Sequence, residues 1–162
     1  MCIRDSKYPL FLLNDMRHLA GKVEGICNNN QKLPPGNVQF FQIGEINYQL
    51  VTNGTLVTME DAESEFSPTH KIENYSLTLI KNENGKQTSQ VLLKDMEMNI
   101  WDGYYAGALF IEFMGDLDGD NRLDLIITRS AEHGGETFFM LSSYAEEGYE
   151  LKLIQQLFWG CC

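Results

Sequence analysis

An all-β fold is predicted by three features of this 162-residue sequence. Apolar and polar residues alternate in several short runs, glycine-containing turns separate those runs, and one acidic loop lies between two apolar stretches. Alternation at period two marks a strand with one buried face. Short turns imply antiparallel neighbours, because parallel pairs need long crossovers. Eight or nine strands follow, arranged as antiparallel meanders that form either a small sandwich or two packed, blade-like sheets.

In chain order, residues 1–6 (Met-Cys-Ile-Arg-Asp-Ser) are similar to the translation of a sequencing-library adapter and read as a non-native leader. Residues 7–162 then form a single all-β domain. Tyr8-Pro9-Leu10-Phe11-Leu12-Leu13 is an opening strand, and residues 14–20 make one short N-terminal helix before Gly21. Asn28-Asn29-Asn30 and Pro34-Pro35-Gly36 punctuate a loop. Residues 38–43 are β-prone, and Ile46, Tyr48 and Leu50 alternate with polar neighbours. Asn53-Gly54 is a two-residue hairpin signal. Residues 60–71 form an acidic surface loop. Tyr75, Leu77 and Leu79 alternate in another strand, which Asn84-Gly85 turns toward residues 91–93. Residues 95–107 look irregular and carry Trp101, Tyr104 and Tyr105. Glu132-His133-Gly134-Gly135 turns into residues 137–142. Glu146-Glu147-Gly148 turns into a last strand with Tyr149, Leu151, Leu153, Leu157 and Trp159 on one face.

The acidic loop is Asp116-Leu117-Asp118-Gly119-Asp120-Asn121-Arg122-Leu123-Asp124, a hairpin connection within residues 108–128. Alternate residues of a tight loop can turn toward one centre. Asp116, Asp118, Asp120 and Asp124 then supply carboxylates, and Arg122 a main-chain carbonyl. So many hard oxygen ligands suit Ca²⁺ rather than a metal that prefers thiolate or imidazole. Gly119 and Asn121 tolerate the left-handed backbone that the loop needs. An EF-hand is excluded, because its twelfth position requires a bidentate Glu where this chain has Ile127, and because β-branched runs replace the flanking helices. The bland alternative is a solvated acidic turn.

Residues 115–125 resemble the FG-GAP/VCBS type of calcium loop, found in integrin-like β-propeller blades and in secreted bacterial proteins. The resemblance places that family's ligands on Asp116, Asp118, Asp120 and Asp124, with a main-chain oxygen at Arg122. Residues 113–153 are similar to secreted bacterial proteins that carry a single such loop. The resemblance therefore implies a calcium-binding, secreted or periplasmic module. A propeller repeats its loop in every blade, whereas this chain has one copy.

A net charge of −11 argues against nucleic acid and anionic membranes as partners, since both call for a basic face. No apolar run is long enough to span a bilayer. Cys27 and Cys161 either pair, if the chain is exported, or remain free thiols. The sequence carries no G-x-S-x-G, H-E-x-x-H, P-loop or G-x-G-x-x-G motif. His18, His70 and His133 lie far apart. Two function classes follow: an exported calcium-binding or structural module with no catalytic residues, or a small hydrolase or carbohydrate-binding fragment that stacks sugars on Trp101, Tyr104 and Tyr105.

Overall fold

The computed structural model describes residues 24–26, 31–59, 69–101, 104–131 and 134–160. Within them the chain is all-β. Eight longer strands form two four-stranded meanders: β3 (Val38–Ile43), β4 (Ile46–Thr58), β5 (His70–Glu83) and β6 (Lys86–Trp101), then β8 (Leu109–Asp116), β9 (Asp124–Ala131), β10 (Gly134–Leu141) and β11 (Lys152–Gly160). Short strands complete the sheets. β7 (Tyr104–Ala106) pairs with β6, while β1 (Glu24–Ile26) and β2 (Gln31–Lys32) both pair with β8. Every pairing is antiparallel.

The two sheets face each other across one core. Tyr48, Leu50, Ile72, Tyr75, Leu77, Leu79, Met96 and Met98 come from the first meander, and Leu109, Ile111, Met114, Leu125, Ile127, Phe138 and Met140 from the second. Two packed antiparallel meanders, as expected, are found. Each fully buried Leu or Ile contributes roughly 1.5–3 kcal/mol of transfer free energy, so these rows set the register of both sheets. The predicted alternations at Tyr48 and Leu50, and at Tyr75, Leu77 and Leu79, are core positions. A stacked pair, Phe41 on Tyr48 with ring centroids 5.3 Å apart, extends the inner face to β3.

Asn84-Gly85 closes the β5–β6 hairpin with both residues at positive φ (51° and 76°), the mirror-image turn that suits the twist of a hairpin. Asn53-Gly54 does not turn. β4 runs straight through it, and the register against β5 slips between Asn53 and Thr55 because β5 carries an extra residue at Asn74, opposite Gly54. The actual hairpin turn lies upstream at Gly44-Glu45. The expected irregularity of residues 95–107 is also corrected. β6 continues to Trp101 and pairs with β5 as far as Ile100, although Asn74 and Asp95, at φ 53° and 55°, displace the register and hide the alternation.

Another shift lies between Phe139 and Met140 of β10, where Gln155 and Leu153 are the partners and Ile154 is the extra residue. The last strand therefore starts later than predicted, and its apolar residues do not share one face. Leu151 is buried ahead of the strand, while Leu153 and Trp159 are exposed. The predicted opening strand and helix, residues 60–68, His18, His133, and the cysteines lie outside the described residues. No helix among the described residues is long and apolar enough to cross a membrane.

Candidate metal centre

The acidic loop closes the β8–β9 hairpin, as the sequence predicts. β8 and β9 stay paired up to Gly115 opposite Asp124, so Asp116 ends one strand and Asp124 begins the other. Leu123 and Leu125 are buried on either side of Asp124 and Met114 lies behind Gly115, which anchors the loop ends in the core. Gly119 and Asn121 adopt the left-handed backbone expected of them, at φ 86° and 62°. A Cβ on Gly119 would meet nothing within 4 Å, so the requirement there is conformational rather than spatial. Gly119→Ala is accordingly expected to cost roughly 1–2 kcal/mol in chemical denaturation. An unchanged midpoint would contradict this account of the loop.

This backbone turns three carboxylates inward. Asp116, Asp118 and Asp120 each offer an oxygen, and the three oxygens lie within 4.8 Å of one another, an arrangement that could hold a metal ion. Asp116 is buried and organises the loop backbone. Its Oδ1 accepts from Gly119 N at 2.7 Å and Asp120 N at 3.2 Å, and its Oδ2 accepts from Asn121 N at 2.9 Å. Asp120 accepts from Arg122 N through Oδ1 (2.8 Å) and from the Ser142 hydroxyl through Oδ2 (2.8 Å). Asp118 accepts from the Ser143 hydroxyl through Oδ2. Its Oδ1 is buried and has no hydrogen-bond partner.

Asp124 sits beside this trio and is fully buried. Its Oδ2 accepts from Leu117 N (2.7 Å), and its Oδ1 from Ser142 N (2.9 Å) and Ser142 Oγ (3.1 Å). Burial pushes its carboxyl up to about 6, assisted by the Asp118 charge and opposed by the hydrogen bonds from Ser142 and Leu117. Arg122 is exposed; the pKa of Glu83 on the facing sheet is lowered mainly by its hydrogen bond and charge interaction with Lys81, and less by the Arg122 guanidinium.

Without a cation this group opposes itself. Two carboxylates about 4 Å apart repel by roughly 1 kcal/mol in water and about 4 kcal/mol near a protein surface. A buried carboxylate oxygen lacking any donor adds a desolvation cost. Loop amides and two serines offset part of this and leave Asp118 Oδ1 over. The donor set therefore fits a hard cation.

Sequence reasoning missed Ser142 and Ser143, which follow β10. Their only signal is a pair of hydroxyl residues after an apolar run, and nothing in the spacing links that pair to a loop about 20 residues upstream. The aromatic segment is only partly described. Trp101 and Tyr104 are backbone partners, as are Ile100 and Tyr105, but these aromatic side chains lie outside the described residues. His70 begins β5 and contacts the Thr69 hydroxyl through Nδ1. No protein-family model, curated protein or solved structure matches the chain.

Proposed function

We propose that this chain is a calcium-binding module of the FG-GAP/VCBS type, exported to the periplasm or secreted, with a binding or structural rather than catalytic role. Asp116, Asp118, Asp120, Asp124 and the main-chain oxygen of Arg122 are its ligands. The observation that carries this reading is Asp118 Oδ1, a buried acceptor without a donor inside a cluster of three carboxylates. Ca²⁺ accommodates six to eight oxygens in flexible geometry, whereas Mg²⁺ demands a tight octahedron and keeps its waters. The bound ion cancels the repulsion within the hairpin and so holds β8 and β9 to the rest of their sheet.

Thermal melts in chelator and in millimolar Ca²⁺ test the reading. At 100 times the dissociation constant the ion contributes about 2.7 kcal/mol, equivalent to roughly 5–10 °C for a chain of this length. Mg²⁺ at the same concentration should shift the melt much less. Identical melts in chelator and Ca²⁺ would rule the proposal out.

Substitutions separate the ligands. Asp118→Ala and Asp120→Ala are expected to abolish the Ca²⁺-dependent shift, and Arg122→Ala to keep most of it, since alanine supplies the same carbonyl. If Arg122→Ala proves as damaging as Asp120→Ala, the assignment of a main-chain ligand at that position is wrong.

A further inference from the structure

We infer that Ser142 and Ser143 are positioning residues of the cation site, and that through them the ion stiffens the connection between β10 and β11. The inference rests on the calcium reading above and extends it to a part of the chain that supplies none of the proposed ligands.

Every carboxylate of the site is aimed by hydrogen bonds. For Asp116 all of these come from within the loop. For Asp118, Asp120 and Asp124 some come from the two serines. Ser143 holds one oxygen of Asp118 and leaves the other, buried oxygen without a hydrogen-bond partner. Ser142 holds Asp120 and Asp124 together. Groups that hydrogen-bond to a metal's ligands in this way typically tune affinity by 10–100-fold.

The serines open the connection formed by residues 142–151, whose far end is fastened to the facing sheet. Glu150 Oε2 accepts from Lys81 Nζ at 2.9 Å, and its Oε1 from the Thr88 hydroxyl at 2.8 Å. The amides of Glu150 and Leu151 both donate to Gln90 Oε1, at 2.8 and 2.9 Å, and Gln90 Nε2 donates back to the Leu151 carbonyl at 2.7 Å. Turns at Ser142–Ala145 and Glu146–Tyr149 link the two ends with little slack. An ion that fixes Asp118 and Asp120 thus fixes the serines and, through two turns, the latch onto β5 and β6. Ca²⁺ occupancy is coupled to the contact between the sheets.

Calorimetric titration with Ca²⁺ and hydrogen exchange of the full chain, in chelator and in saturating Ca²⁺, test this together. In the unsubstituted protein, exchange at the Glu150 and Leu151 amides should slow by about tenfold or more when Ca²⁺ binds. Ser143 is exposed, so Ser143→Ala should fold normally. It should nevertheless bind Ca²⁺ about 10-fold more weakly or worse, and lose the added protection at 150 and 151. Ser143→Thr, which keeps the hydroxyl, should restore both. Ca²⁺ binding with unchanged exchange at those amides, or undiminished affinity in Ser143→Ala, would overturn the inference and leave the calcium reading standing. Absence of any binding heat in the unsubstituted protein would overturn both.

Discussion

Tyr75→Ala is expected to lower the unfolding free energy by about 3–5 kcal/mol, the usual cost of removing a large buried ring. Tyr75 is fully buried in β5, and its hydroxyl donates to the Leu33 carbonyl at 2.7 Å. Leu33 N in turn donates to the Leu109 carbonyl at 3.0 Å. One side chain thus joins a strand of the first sheet to the segment entering from β2, and that segment to β8 of the second. Burial raises the phenol's pKa, which keeps it a neutral donor throughout the working pH range. Tyr75→Phe retains the ring and loses only the donor, leaving a buried carbonyl short of its partner. Its cost should be about 1–3 kcal/mol. Urea denaturation of both variants in chelator separates ring from hydroxyl. A loss below about 0.5 kcal/mol for Tyr75→Ala would remove this residue from the account of how the sheets are held together.

That residue also shows what the sequence made legible. Tyr75, Leu77 and Leu79 alternate openly, and so do Tyr48 and Leu50, because each set lies in a stretch with one buried face and no extra residue of its own; the shifts beside Tyr75 and Leu77 come from Asn74 just before and from the partner strand β6. The acidic loop was legible for a different reason: the spacing of its acids and its Gly119 and Asn121 are local, so they survive in the sequence whatever surrounds them. Bulges were not legible. The extra residues at Asn74 (opposite Gly54), at Asp95 and at Ile154 shift the phase of a pairing, so a continuous strand reads as irregular chain or as a strand with the wrong face inward. Asn-Gly shows the ambiguity well. It makes the hairpin at Asn84-Gly85, where the flanking strands pair with each other, and runs on within β4 at Asn53-Gly54, where β5 pairs with β4 on both sides of it. Ser142 and Ser143 were illegible because their meaning depends on a contact with a different hairpin, and hydroxyls lack the distinctive spacing of acids.

If the acidic loop binds Ca²⁺ as proposed, the buried position of Asp124 makes the effect of the ion depend on pH. Its carboxyl is raised from 3.8 to about 6, with burial the largest cause. Between about pH 4 and 6 the folded chain therefore holds a proton that the unfolded chain has lost, and the metal-free protein loses stability as pH rises through that window. A shift of about two units corresponds to roughly 3 kcal/mol by neutral pH. Burial favours the proton, while the hydrogen bonds that Asp124 accepts from Ser142 and Leu117 oppose it. On the calcium reading proposed above, Ca²⁺ would replace that proton, so its stabilisation should be small at pH 5 and large at pH 7.5. In chelator the urea midpoint should be higher at pH 5, and in saturating Ca²⁺ that advantage should disappear or reverse. Two other groups bear on the slope. Glu112 is also raised by burial and acts in the same direction, and the net charge of −11 relaxes as acids protonate. Neither depends on Ca²⁺, so Asp124→Asn separates them: the variant should keep the general gain in acid while losing the pH dependence of the Ca²⁺ effect. A Ca²⁺-induced shift of equal size at pH 5 and pH 7.5 in the unsubstituted protein would show that Asp124 does not exchange a proton for the ion.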